Sequence, residues 1–422
     1  MKKIFVFAIV ALVAGGFVAV HLKGKSQSEE PQPTPVTTKI LNESIVNEEI
    51  EELRGLDRKV EAFMRKWQIK GASLSIMRHD SLLYCKGYGW ADKNVRMQPG
   101  NILRIASVSK LVTATGIMVL RDRGLISLND KVFGEDGILC DSLYSAMIAD
   151  SHCYDITVEH LLRHQAGFSR DPLFSSNDVR CQLKLDHAPE ADDFFRVTLG
   201  RRLRFAPGTS QRYSNVGYLL LSRIIEKISG VSYEDFIREN VLEPAGVFDM
   251  HIAGNYYSDR RDNEVRYYTH EGDGKFVSEF NGSCNQVERC YGGNNIPLLS
   301  GAGAWTASTP ELARFVASID AEPGVQDIIS QLAFEEMVEY IDSATFSLGW
   351  NDTNPLKGWS RTGTLAGTSA LVRYYPDGEC WIFVTNTSTW KGPGLARYTN
   401  ALFEESRAKY SARLPKRDLF VD

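Results

Sequence analysis

An α+β fold is predicted, with one antiparallel sheet built from both ends of the chain, flanked by helices, and a mostly helical lobe inserted between the two halves of the sheet. Three observations lead there. Short apolar runs bounded by turn residues occur early, Ala72 to Arg78 and Ser81 to Tyr88, and again late, Ala370 to Tyr375 and Cys380 to Thr385. Between about 125 and 340 the pattern changes to helical periodicity with long loops. The chain of 422 residues, 43% hydrophobic, is long enough to bury a large core. Strands from both ends meeting in one sheet make the middle an insertion, and a cleft is expected between lobe and sheet.

Taken in order, Met1-Lys2-Lys3 precedes an uncharged apolar run from Ile4 to Val20, followed by His21-Leu22-Lys23. Seventeen helical residues rise about 26 Å, a little short of a hydrocarbon layer of roughly 30 Å, so the run reads as an export signal or an anchor. The lysines before it place the remainder of the chain outside the cytoplasm. From Gly24 to about Glu52 the chain is rich in Ser, Gln, Pro, Thr and Glu, including Pro31-Gln32-Pro33-Thr34-Pro35, the composition of a semi-extended linker. A helix is predicted from about Ile50 to Trp67. The early strands turn at His79-Asp80 and the late ones at Pro376-Asp377-Gly378. Ser308-Thr309-Pro310-Glu311 resembles a capping box opening a helix to Ile319.

Three short motifs carry the chemistry. Ser107-Val108-Ser109-Lys110 opens a helix whose apolar positions include Leu111, Val112, Ala114, Ile117 and Leu120, with Gly124 as its stop. Residues i and i+3 share a helix face, so the Lys110 amine can reach the Ser107 oxygen, and a desolvated lysine can serve as a base. Tyr213-Ser214-Asn215 follows the turn Phe205-Ala206-Pro207-Gly208-Thr209 and leads into a helix from Val216 to Ile228. A tyrosine between two cations ionises below its usual value of about 10 and can exchange protons with a serine. Arg361-Thr362-Gly363-Thr364 reads as a strand lining the cleft. Glycine at 363 permits close approach of a substrate carbonyl, the Thr364 N–H can join that of Ser107 as an oxyanion hole, and Arg361 suits a substrate carboxylate.

Ser-x-x-Lys, Tyr-x-Asn and a cation-Thr-Gly triplet in this order resemble the serine β-lactamase and penicillin-binding-protein superfamily, specifically its class C branch with the related D,D-carboxypeptidases and esterases. The stretches Ile156 to Phe168, Pro207-Gly208-Thr209 and Gly217 to Gly230 are similar to that branch as well, and the likeness runs from about residue 55 to 405. It implies a β-lactamase/transpeptidase-like fold. It further implies Ser107 as the acylated nucleophile, Lys110 and Tyr213 as the proton-transfer pair, Asn215 as their positioner, and Arg361, Thr362, Gly363 and Thr364 as substrate-binding. The family more often has lysine or histidine where Arg361 stands. The expected activity is hydrolysis of a β-lactam or a D-Ala-D-Ala-type peptide through an acyl-enzyme, without a cofactor. Esterase or D-aminopeptidase activity is the alternative on the same fold, and a non-catalytic peptide-binding or sensing module is the alternative of another class.

The resulting organisation is a signal or anchor at 1–23, a linker at 24–52, the serine hydrolase domain at 53–410 with its helical lobe at about 125–340, and a tail at 411–422. The expected partners are a small-molecule or peptide substrate, including cell-wall peptide, and a membrane if the amino-terminal segment stays uncleaved. A net charge of −5 leaves no basic surplus for nucleic acid. Seven cysteines permit disulfides with at least one thiol left over; Cys284 with Cys290 and Cys140 with Cys153 can each close a small loop, and Cys85 and Cys380 are either partners or buried thiols. His160 and His164 have helical i, i+4 spacing but lack the glutamate of an H-E-x-x-H site, and Gly301-Ala302-Gly303 lacks the third glycine of a dinucleotide fingerprint, so neither a metal nor a nucleotide is expected.

Overall fold

The structure, a computed structural model, describes residues 36, 38–41, 48–270, 276–342 and 345–420. The apolar run 4–20 and most of the linker lie outside the described residues. Among the described residues no helix is long and apolar enough to cross a membrane.

Six antiparallel strands form the main sheet: β1 (Gly71–Arg78), β2 (Ser81–Asp92), β3 (Val95–Arg96), β4 (Trp359–Leu365), β5 (Thr368–Tyr374) and β6 (Glu379–Thr385). Their spatial order, β3-β2-β1-β6-β5-β4, joins the two chain ends through the β1–β6 pair, with Ala72 opposite Thr385 and Arg78 opposite Glu379. The β1–β2 turn places both central residues in the left-handed region, His79 at φ 44° and Asp80 at φ 63°, the primed geometry that suits two-residue hairpins. Gly378 (φ 79°) does the same service between β5 and β6.

The period of two along the strands divides the interior into two cores. Leu74, Ile76, Leu371, Trp381 and Phe383 face one layer, made by α1 (Arg54–Trp67) and α5 (Leu395–Tyr410) through Leu56, Val60, Phe63, Trp67 and Phe403. Val372, Ile382 and Val384 face the larger lobe, whose central helices are α2 (Ser109–Asp122), α3 (Asn215–Ser229) and α4 (Thr309–Ala317). On this face β1 is polar. Ser73 and Ser75 both bond to the Thr309 hydroxyl, at 2.7 and 2.9 Å, tying the first turn of α4 to the central strand. Ser308 caps α4 through the Glu311 N–H at 3.3 Å, as its motif predicts. The buried Glu311 carboxyl reaches back to Ser308, accepting from its hydroxyl at 3.3 Å, and also accepts from the N–H groups of Phe248 and Asp249 at 3.1 and 2.7 Å; burial pushes its pKa up to about 7.

Several expectations differ from the structure. Residues within the stretch read as linker, and the tail, lie against the domain: Ile40 and Leu41 are buried, Leu41 bridges Phe420, and the Leu419 N–H donates to Leu82 O at 2.9 Å. Burial of these isolated apolar residues accounts for their docking. All seven cysteines are free thiols, and β1 separates the strands that carry Cys85 and Cys380, so those two are not neighbours. His160 serves its helix start, its Nδ1 accepting from the Thr157 N–H at 3.2 Å.

One buried polar knot fixes α1 to the sheet. Asp57 accepts from the Tyr84 and Tyr88 hydroxyls at 2.6 and 2.7 Å and from the Lys86 ammonium at 2.8 Å. Removing the carboxylate leaves the 8% exposed Lys86 side chain with only the solvent-facing Glu49. Asp57→Ala is therefore expected to cost about 3 kcal/mol or more, read as a lowered urea midpoint at unchanged slope.

Candidate active site

Ser107 sits in a single 3-10 turn, Ala106–Val108, directly ahead of α2. The residue before it, Ala106, has φ 48°, a left-handed conformation that costs an alanine about 1 kcal/mol or more. The neighbour that holds this turn is β4. A Cβ built on Gly363 would stand 2.3 Å from Ile105 O and 3.1 Å from the Ser107 N. Glycine at this position is thus required by the backbone of the Ile105–Ser107 turn, a demand the sequence does not show. Gly363→Ala should drive β4 from the Ile105–Ser107 turn and lower kcat/KM by roughly 100-fold or more, the scale at which misplacement by about 1 Å is felt; a circular-dichroism spectrum matching wild type alongside that loss would place the damage at the site.

Lys110 is fully buried, and its three donors converge on Ala302 O (2.5 Å), Asn215 Oδ1 (2.9 Å) and Ser107 Oγ (3.4 Å). Burial is the largest influence on its amine and holds it below the ordinary lysine value; the Tyr213 oxygen pulls the other way, and the Arg361 charge adds to the lowering. Tyr213 stands between these cations. Burial resists ionisation of its phenol, but Lys110 and Arg361, with a hydrogen bond from Ser107, overcome burial and bring it down to about 8. Lys110 Nζ also lies 4.9 Å from the centre of the Tyr213 ring.

Arg361 and Thr362 are both engaged within the protein, Arg361 fully buried and Thr362 partly exposed. Arg361 is 1% exposed; its Nε donates to Ser107 O at 2.8 Å and an Nη donates to the Tyr213 hydroxyl at 3.0 Å. It is a permanent charge held against the Tyr213 phenol. Thr362 gives both its N–H and its hydroxyl to Asn351 Oδ1, at 2.7 and 3.1 Å. That bond shows the Thr362 N–H directed away from β5, and by the period of two the Thr364 N–H on this edge strand is directed the same way, toward the cleft. The Thr364 N–H is thereby free of the β4–β5 ladder, as a donor expected to face a substrate carbonyl must be.

Other residues complete the site. Asp171 accepts from the N–H groups of Asn215 and Val216, fixing the start of α3 and with it the Asn215 amide. His164 (φ 59°) is buried with its ring 4.3 Å from that of Tyr213, and Phe346 packs edge-on to both. Burial, then the charges of Lys110 and Arg361, hold the His164 imidazole well below its ordinary range, and its Nδ1 accepts from the Ser214 N–H at 3.1 Å. It is a neutral wall for the phenol. The Ala302 carbonyl comes from the short helix Ser300–Gly303. Its helix leaves no room: a Cβ on Gly301 would meet Tyr218 O at 2.7 Å. Among the described residues no group of His, Cys, Asp and Glu could hold a metal ion.

The sequence model of the Beta-lactamase family matches residues 56–410. Penicillin-binding protein 4* of Bacillus subtilis (strain 168) is 26% identical over 338 residues, 77% of this chain and 70% of that protein; in several longer curated relatives the matched stretch is 40% of their length. Among solved structures, D-amino acid amidase from Ochrobactrum anthropi SV3 superposes with a TM-score of 0.65 at 18% identity, covering 85% of this chain and 99% of that one. EstCE1, a hydrolase with promiscuous acyltransferase activity, superposes with a TM-score of 0.64 at 19% identity, covering 84% and 98%. At such identities these two neighbours share the fold.

Proposed function

The chain belongs to the β-lactamase family, a family of serine hydrolases, and from that premise we propose that it is an exported serine hydrolase that cleaves an amide, a β-lactam or a D-Ala-D-Ala-type peptide, through an acyl-enzyme at Ser107. The observation that carries this reading is the convergence of Lys110, Tyr213 and Arg361 on one half-buried serine.

The steps follow from the hydrogen bonds. With its three donors engaged, Lys110 as an ammonium can accept no proton, so the Tyr213 phenolate takes the Ser107 proton as Oγ attacks the carbonyl carbon. The carbonyl oxygen becomes the oxyanion held by the N–H groups of Ser107 and Thr364. Tyr213 then returns the proton to the leaving nitrogen as the C–N bond breaks, leaving an ester on Ser107. The same phenolate takes a proton from water as the water oxygen attacks the ester carbon, and returns it to Ser107 Oγ as the C–O bond breaks and the acid leaves. Lysines 2 and 3 before the apolar run 4–20 support a location outside the cytoplasm.

The test exposes purified protein to a fluorescent penicillin and, separately, to a fluorophosphonate, and locates each adduct by mass spectrometry. Both adducts on Ser107 are expected. Labelling by fluorophosphonate alone would favour the esterase or D-aminopeptidase reading, and labelling by neither would leave a peptide-binding module.

A further inference from the structure

One end of the main sheet, where β1 begins and β2 and β6 finish, gathers exposed cations. The flanking segments are bonded to one another there. Lys70 O accepts from the Trp90 N–H, the Lys70 N–H donates to the Thr387 hydroxyl, and the Asn386 amide donates to Trp90 O, each at 2.9 Å. Segments 66–70, 90–96 and 387–397 carry Lys66, Lys70, Lys93, Arg96, Lys391 and Arg397, all exposed, against one carboxylate, Asp92. Asp92 is already engaged, accepting from Arg260 at 3.0 Å and from the Tyr257 hydroxyl at 2.7 Å. Glu61, beside the same surface, is matched by Arg65 at 3.7 Å. The stretch 271–275, outside the described residues, holds Glu271, Asp273 and Lys275 by sequence, which lowers the surplus of positive charge by one at most.

Aromatic rings interleave with these charges. Trp90 and Trp390 are 37% and 48% exposed. The Arg96 guanidinium lies 4.1 Å over the Trp90 ring, and Trp390 lies 5.2 Å from the ring of Trp67, which Lys66 approaches to 5.3 Å. Lysine and arginine set among tryptophans is the composition of a membrane–water interface, where rings sit at the headgroup level and cations meet lipid phosphates. The chain also enters the domain at this end. The Val36 N–H donates to Gln98 Oε1 at 2.9 Å, two residues beyond Arg96, and the intervening Met97 N–H donates to Gly89 O at 3.0 Å. Residues 21–35 join the apolar run 4–20 to Val36, and a chain of that length reaches at most about 50 Å.

We propose that this end of the sheet is a docking face for an anionic lipid surface, with the six lysines and arginines on headgroup phosphates and Trp90 and Trp390 at the headgroup level. A chain of net charge −5 is otherwise repelled by such a surface, so the face also fixes how the domain lies on it. Trp390 lines the cleft that Thr364 borders, and a docked domain therefore opens that cleft beside the headgroups. The proposal goes beyond the acyl-transfer reading and does not depend on it.

The full chain is to be mixed with vesicles of phosphatidylcholine alone, or of equal parts phosphatidylcholine and phosphatidylglycerol, and treated with a water-soluble amine-acylating reagent, the labelling of each lysine being read by mass spectrometry. On the anionic vesicles, labelling of Lys66, Lys70, Lys93 and Lys391 should fall by roughly 5-fold or more, the scale of one cation's attraction to such a surface, while Lys131 and Lys227 of the lobe stay unchanged. Raised salt should restore labelling. The double variant Lys70→Glu with Arg96→Glu should restore it too, read at Lys66 and Lys391; both positions are exposed, so the fold should tolerate the change. Both vesicles offer the run 4–20 the same hydrocarbon layer, and the double variant separates the face from Lys2 and Lys3. Equal labelling on the two vesicles, or protection that the double variant keeps, would overturn the docking face. Protection by soluble polyglutamate and not by anionic vesicles would also overturn it, assigning the face to an acidic polymer. Fluorophosphonate labelling of Ser107 in the same samples reports on the acyl-transfer reading separately.

Discussion

Ser107→Ala is expected to lower kcat/KM by roughly 10³- to 10⁶-fold, the range over which loss of a serine nucleophile leaves only binding and oxyanion stabilisation. The substitution removes the atom that Lys110 and Tyr213 both address while leaving the Arg361 bond to the residue's carbonyl in place. The fold should therefore survive, and the thermal midpoint should stay within a few degrees of wild type. Turnover retained in a pure preparation of this variant would move the chemistry to another residue.

The second large effect concerns pH. In the proposed mechanism Tyr213 acts as base only when ionised, and its phenol is brought down to about 8 by Lys110 and Arg361, so kcat/KM should rise as pH increases through about 8. The sign distinguishes it from a carboxylate or histidine base, whose rising limb would lie well to the acid side. Arg361→Met removes one of the two cations that favour the phenolate. The rising limb should then move upward by about 1 to 3 pH units, the usual influence of one close opposite charge, and activity at pH 7 should fall in proportion. Arg361→Lys should restore much of it. A limb unmoved by loss of Arg361 would remove Tyr213 from the role of base.

Much of this site was legible because its chemistry lies in short local motifs. Ser107 and Lys110 are one helical turn apart, Tyr213 and Asn215 share a loop, and the two hairpins of the sheet announce themselves by His79-Asp80 and Pro376-Asp377-Gly378. What escaped depends on burial or on distant partners. Arg361 reads as a substrate contact because a sequence does not show that its guanidinium lies 254 residues from, and within 2.8 Å of, the serine carbonyl. Ala302 contributes only its backbone, which no side-chain pattern signals. Asn351 and Asp171 are ordinary loop residues until their partners on β4 and α3 are known. His164 lies inside a stretch that signals the family, yet its stacking on Tyr213 needs the fold. Ile40, Leu41 and Phe420 escaped for another reason: a docked terminal segment has too few apolar residues to show a period.

The contact between Gly363 and the Ile105–Ser107 turn has a further consequence for how this protein fails. The glycine belongs to the sheet edge and the serine to the turn that leads into α2, so the two donors proposed for the oxyanion ride on different elements. A sliding movement of a few tenths of an ångström between them is invisible to far-ultraviolet spectra yet detunes both donors at once. Catalysis thereby becomes a vernier for alignment, and mild denaturant should silence the enzyme before its secondary structure melts.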